Sequence, residues 1–193
     1  MSLANKFTLS RIILAPVFFL FFFLPEFFPS LFTHGSAWTV PVLWLIAVFG
    51  ELTDLFDGLA ARKRGEASDF GRLFDPFADT LMQITCFLCF VIDNFFPAFF
   101  FLLVIYREFG ILFIRNLMLH KGITLGARMS GKVKTVSYIT AGSAALLTVS
   151  LQRLSIFEII IPYFKIGAVI IFIISVIISI ISFFDYLLIF KKA

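Results

Sequence analysis

Between Ile166 and Phe190 the chain carries a single charged side chain, Asp185. At 1.5 Å per residue such a run crosses the roughly 30 Å hydrocarbon core of a bilayer. Inside that core every backbone N–H and C=O must be satisfied within the protein, which leaves only helices and closed barrels. The apolar runs are continuous and lack the alternation of a barrel strand, so helices are expected. Comparable runs occur at Ile12–Phe32, Trp38–Asp57, Phe70–Ile92, Phe95–Leu119 and Thr135–Leu151. A hydrophobic content of 61%, with 29 phenylalanines, excludes a soluble domain of this length, whose exterior must be wetted. The fold expected is an all-α integral membrane protein: six transmembrane helices with a short N-terminal juxtamembrane helix, forming one domain over residues 1–193.

Turn chemistry marks the breaks, with T33-H-G-S, D93-N-F-F-P97 and the stretch from Gly122 to Gly131 separating successive runs. Pro162 and Lys165 mark the entry of the last run into the membrane. The N-terminus has two basic residues before its apolar stretch but no small-residue cleavage site. Pro16, Pro25 and Glu26 interrupt the run, which reads as a retained span and not a leader. Cys86 and Cys89 form a C-x-x-C within an apolar run and read as packing residues on a helix face. No internal repeat of the inverted-repeat transporter kind is visible.

The basic residues Lys6, Arg11, Arg62, Lys63, Arg64, Arg72, Lys121, Arg128, Lys132, Lys134, Lys191 and Lys192 fall on one side of the six-span topology. Arg153 and Lys165 fall on the other. The positive-inside rule makes the crowded side cytoplasmic and, with an even number of spans, puts both termini there. The net charge of +4 then reflects topology and attraction to anionic lipid heads, with no nucleic-acid partner implied.

Four aspartates, Asp54, Asp57, Asp75 and Asp79, join the second and third runs. Carboxylates near membrane depth are costly and persist when paired, hydrated or bound to a cation. On helices, Asp54 and Asp57 are i,i+3 neighbours and Asp75 and Asp79 are i,i+4 neighbours, so each pair shares a face. Gly58 and Gly71 leave room beside them for a ligand against the backbone. Oxygen-only donors favour hard cations such as Mg2+ or Mn2+, and four carboxylates suit two such ions around a diphosphate. Pairing with Arg62, Lys63, Arg64 and Arg72 is the competing explanation; it suits Glu66 and Asp69 better than the four aspartates.

The pattern D54-x-x-D57-G58-x-x-A61-R62, then G71-x-x-x-D75-x-x-x-D79, resembles the motif of the CDP-alcohol phosphotransferase family. That resemblance implies six transmembrane helices, two metals, a CDP-linked donor and a homodimer. It implies that Asp54, Asp57 and Asp75 ligate metal, and that Asp79 ligates metal or acts as general base. It also implies that Gly58, Ala61, Arg62, Ser68 and Gly71 line the cytidine nucleotide pocket. N5-x-x-T8-x-x-R11-x-x-x-x-P16, Y106-R-E-F-G110 and G131-K-V-K-T135 are similar to the bacterial branch that uses sn-glycerol 3-phosphate as acceptor and CDP-diacylglycerol as donor. Glu51, one turn before Asp54, departs from the small or neutral residue expected there.

The cations beyond the aspartates bear on the acceptor. Arg115, Arg128, Lys132 and Lys134 cluster around the fourth-to-fifth connection, and Arg107 with Glu108 lies inside the fourth run. A phosphate-bearing acceptor needs such donors; serine or choline does not. No Ser, Cys or His is placed with a base as a nucleophile, so direct transfer is expected. Two other readings stay open: a sibling transferase using inositol phosphate, serine or choline, and a divalent-cation transporter using the acidic cluster. The transporter predicts acids spread across the membrane, whereas these gather at one face.

Overall fold

The computed structural model describes the backbone of residues 3–31, 36–64, 69–122 and 129–192. Within these it describes the side chains of residues 8–30, 36–53, 74–122 and 129–191. Six long helices account for nearly all of it: α1 (Leu3–Phe27), α2 (Thr39–Arg64), α3 (Asp69–Ile92), α4 (Ala98–His120), α5 (Met129–Leu154) and α6 (Ile161–Lys192). No strand occurs among the described residues. Each expected run falls mainly on one helix, although the first continues past the end of α1 at Phe27 and the fourth begins three residues before α4.

Two boundaries differ from expectation. The juxtamembrane helix is not a separate element: α1 runs unbroken from Leu3, through Pro16 and Pro25, to Phe27. Proline removes a single helix hydrogen bond, and a helix whose flanks are packed can absorb that loss. The polar segment Ser130–Lys134 is helical too, because α5 begins at Met129. Its first turn is fastened where the Ser130 hydroxyl donates to Asp185 Oδ2 on α6, at 2.7 Å.

Three helices are long and apolar enough to cross a membrane among the described residues, with spans Thr8–Phe27, Phe74–Ile92 and Glu158–Lys191. α2 is apolar over Thr39–Thr53, where its described side chains end. α4 carries Arg107, Glu108 and Arg115 along its length. The distribution of polarity is nevertheless that of a membrane protein. Leu45, Phe99, Phe113, Ile166 and Ile181 are well exposed, while Arg107, Glu108, Lys134, Ser175, Ser179 and Ser182 are buried. Water would reverse that arrangement; lipid favours it.

The chain divides into two compact units, Met1–Cys89 and Phe90–Ala193. In the first, α1 packs along α2, and Phe21 of α1 meets Trp38, just before α2, edge to face with centroids 6.2 Å apart. α3 runs parallel to α1, since Thr8 meets Asp75 and Arg11 meets Asp79 in the same order along both helices. Gly50 of α2 lies where an added Cβ would sit 3.5 Å from Met82, so these helices approach closely. Cys89 is buried and Cys86 partly so, and neither is in a disulfide.

In the second unit, α6 packs against both α4 and α5. α4 and α6 are parallel: Phe96, just ahead of α4, stacks on Phe172 at 4.0 Å, Arg107 bonds Ser179 and Ser182, and Lys121, just past α4, lies over Phe190. α5 runs the other way, with Tyr138 on Ser179 and Ser130 on Asp185. The turns behave as their residues dictate. Asn94 takes a left-handed conformation, φ 54°, and the N–H groups of Phe95 and Phe96 both donate to the Phe90 carbonyl. Gly122, φ 73°, ends α4 in the same way.

Candidate active site

Asp75 and Asp79 sit one turn apart on α3, and their side chains face α1. The Thr8 hydroxyl donates to Asp75 Oδ1, and the Arg11 guanidinium pairs through Nη1 with Asp79 Oδ1. The side chain of Arg11 is only 2% exposed, while that of Asp79 remains 42% exposed. One oxygen of each carboxylate is therefore anchored by α1, and the Asp79 carboxylate stays open to a ligand. Arg11 can be buried because it spends its charge on that aspartate; an isolated guanidinium there would be prohibitive.

The remaining acidic residues belong to α2. Asp54, Asp57, Gly58, Ala61 and Arg62 fall on its helical backbone, at the i,i+3 spacing expected for the aspartates, and for these residues, as for Gly71 on α3, only the backbone is described. Ser68 lies outside the described residues altogether. Glu51 is exposed on α2, one turn ahead of Asp54. Among the described residues no group of three acidic, His or Cys side chains forms a complete metal site. The donors that are described fit a hard cation in kind: two carboxylates on one helix face and a threonine hydroxyl, all oxygen, with no sulfur or imidazole.

A second polar constellation lies where the end of α4, the start of α5 and the end of α6 meet. Arg107, Glu108, Ile111, Ile114, Arg115 and Met118 follow one stripe of α4. Arg107 donates from Nη1 to Glu108 Oε1 at 2.9 Å, from Nε to the Ser179 carbonyl at 3.3 Å and from Nη2 to Ser182 Oγ at 3.3 Å. Lys134 of α5 reaches the same Glu108 oxygen at 2.8 Å and lies 4.4 Å from the centre of the Tyr138 ring. The Tyr138 hydroxyl donates to Ser179 Oγ at 2.6 Å. Two turns along α4, half-buried Arg115 lies over the Tyr186 ring at 5.8 Å, and its Nε is buried without a hydrogen-bond partner.

The four cations singled out from sequence thus occupy different situations. Arg115 faces α6 in the interior, Lys132 is exposed on the first turn of α5, and Lys134 is buried against Glu108. Arg128 lies outside the described residues. Reading by residue type overlooked Thr8 and Arg11 as partners of the aspartates, although their i,i+3 spacing matches the i,i+4 spacing of Asp75 and Asp79. It also overlooked Tyr186, Ser179 and Ser182, whose spacing along α6 traces one helical face.

This constellation, carboxylates presented at helical spacing within an inward-polar helical membrane protein, has counterparts. A family model described as CDP-alcohol phosphatidyltransferase matches residues 1–183. The chain is 37% identical over 193 residues to the CDP-diacylglycerol–glycerol-3-phosphate 3-phosphatidyltransferase of Treponema pallidum, covering 97% of this chain and 88% of that protein. A protein of the same name from Bacillus subtilis is 33% identical over 150 residues, covering 76% and 77%. One from Rickettsia felis is 32% identical over 150 residues, covering 76% and 75%. The chain belongs to the CDP-alcohol phosphatidyltransferase family, whose members are generally divalent-cation dependent.

Proposed function

We propose that the chain, acting as one domain over residues 1–193, transfers the phosphatidyl group of CDP-diacylglycerol to sn-glycerol 3-phosphate, giving phosphatidylglycerophosphate and CMP. The observation that carries this reading is the Asp75–Asp79 face of α3, anchored by Thr8 and Arg11, in a chain that aligns nearly end to end with a relative named for that reaction.

In this reading Asp54, Asp57, Asp75 and Asp79 would hold two divalent cations, Mg2+ or Mn2+, whose positive charge would offset the negative charge of the diphosphate. Asp79, whose side chain remains 42% exposed, takes the proton from the acceptor hydroxyl. The acceptor oxygen attacks the phosphorus bearing the diacylglycerol, the bond to the bridging diphosphate oxygen breaks, and CMP leaves with the electron pair. Gly58, Ala61, Ser68 and Gly71 line the nucleotide pocket, and Arg62 adds a forked donor to phosphate oxygens. Arg115, Arg128 and Lys132 receive the acceptor phosphate, with Lys134 behind them.

The end of the second unit that gathers Arg115, Lys121, Lys132 and Lys191 is cytoplasmic by the positive-inside rule. Both termini and the active site belong on that side of a bacterial-type inner membrane, crossed six times, and the protein works as a homodimer.

The decisive experiment gives purified protein labelled CDP-diacylglycerol and a panel of glycerol 3-phosphate, inositol phosphate, serine and choline, and follows CMP release. Glycerol 3-phosphate should be used fastest. Faster transfer to serine, choline or inositol phosphate would replace the acceptor while leaving the family chemistry in place.

A further inference from the structure

The transfer chemistry makes no use of Glu108, yet this carboxylate is one of the most buried charges in the second unit. Both of its described cationic partners use one oxygen, Oε1, with Arg107 at 2.9 Å and Lys134 at 2.8 Å. Arg107 is otherwise consumed by α6, through the Ser179 carbonyl and Ser182 Oγ. Glu108 is therefore where α4, α5 and α6 are tied together.

The tie bears directly on Arg115. From Lys134 the fixed first turn of α5 continues back through Gly131 and Ser130. A Cβ at Gly131 would stand 3.3 Å from the Tyr186 hydroxyl, and Ser130 is bonded to Asp185. Tyr186 in turn is the surface on which Arg115 rests. Through these contacts a shift at the start of α5 would reach Tyr186 and, from it, the Arg115 guanidinium. The buried Nε of Arg115, which has no protein acceptor, is the second observation: such a donor is satisfied by water or by a ligand, and an acceptor phosphate could serve.

We propose that Glu108 is a positioning residue for acceptor recognition, acting through Lys134 to set the register of α5 that holds Arg115 ready for the acceptor phosphate. This rests on the acceptor reading above, which is tested separately by wild-type turnover of glycerol 3-phosphate. Lys134 is on this view a strut, and its ammonium is spent on Glu108 and not on substrate.

The test uses full-length protein in lipid nanodiscs, with the KM of each substrate and kcat measured for Glu108→Gln, Lys134→Met and the double variant. Glu108→Gln keeps the shape of the side chain and removes its charge. Each single variant should raise the KM for glycerol 3-phosphate about tenfold, with kcat and the KM for CDP-diacylglycerol changed less than about threefold. The double variant should be no worse than the poorer single, because both break one tie. An unchanged acceptor KM in Glu108→Gln overturns the proposal, as does a double variant whose effects multiply. A uniform loss in kcat and both KM values also overturns it, since that marks a purely structural network. If Glu108→Gln does not fold, Glu108→Asp decides: withdrawing the charge by one methylene should give an intermediate rise in acceptor KM, and no rise overturns the proposal. Failure of wild-type protein to use glycerol 3-phosphate would instead overturn the acceptor reading.

Discussion

Replacing Arg11 by Met probes the contact between α1 and the carboxylates of α3. The guanidinium is almost wholly buried and its partner Asp79 is 42% exposed. Breaking a fully buried pair costs about 3–5 kcal/mol, because the remaining charge is stranded. An exposed pair is worth only about 0.2–1 kcal/mol. Water can reach Asp79 and replace part of what Arg11 supplied, so the loss should fall between these limits, at about 1.5–3 kcal/mol. If the lost energy is felt as misplacement of Asp79 in the transition state, kcat falls by roughly one to two decades. The KM for CDP-diacylglycerol should move far less. Arg11→Lys keeps the charge without the planar fork and should recover part of the loss. The assay is CMP release at saturating substrates, with a thermal unfolding midpoint on the same preparations to separate misplacement from collapse. Wild-type kcat in Arg11→Met would refute the view that α1 orients Asp79. So would a loss confined to the unfolding midpoint.

Chelation with EDTA should abolish CMP release, and Asp75→Asn should do the same; full turnover in chelator would remove the metal from the chemistry. Asp79→Asn keeps an oxygen donor but cannot take a proton, so nucleotide binding should survive while turnover falls about 10²–10⁴-fold; loss of nucleotide binding would make Asp79 chiefly a ligand. Arg115→Ala should raise the KM for glycerol 3-phosphate by one to two decades, the loss of about 1.5–3 kcal/mol of charge-assisted bonding, with the donor KM nearly unmoved. Gly110→Ala places a Cβ 3.0 Å from two atoms of the Phe183 ring and should destabilise the protein by about 1–2 kcal/mol, read as a lower unfolding midpoint, whereas Gly167→Ala meets nothing within 4 Å and should be neutral or slightly stabilising; equal midpoints for the two would refute the close α4–α6 packing.

The helices could be read from sequence because the bilayer imposes a strict rule on apolar length and backbone satisfaction. The turns at Asn94 and Gly122 were legible for an equally local reason, the tolerance of Asn and Gly for a left-handed backbone. The aspartate face of α3 was legible because Asp75 and Asp79 are partners on one helix. Interhelical pairings were not. Nothing local to Lys134 says that its ammonium ends on Glu108, and position along the chain alone nominates it as a phosphate contact. Nothing local to Thr8 or Arg11 says that they meet Asp75 and Asp79. Such pairings depend on how helices are aligned side by side, which apolar periodicity in one helix cannot report. The start of α5 was misread as loop because its composition is polar, while the bonds that hold it as helix come from α6.

α6 presents Ile166, Ile170, Ile174, Ile177, Ile181 and Leu188 outward, each at least half exposed, and keeps Ser175, Ser179 and Ser182 buried. The outward face has no protein core to fill, so what it must match is the hydrocarbon around it. Exchanging one branched aliphatic for another there alters neither burial nor packing, whereas a single charge on that face would have to be carried into lipid. Tolerance to substitution along α6 is therefore sorted by helix face and not by residue type.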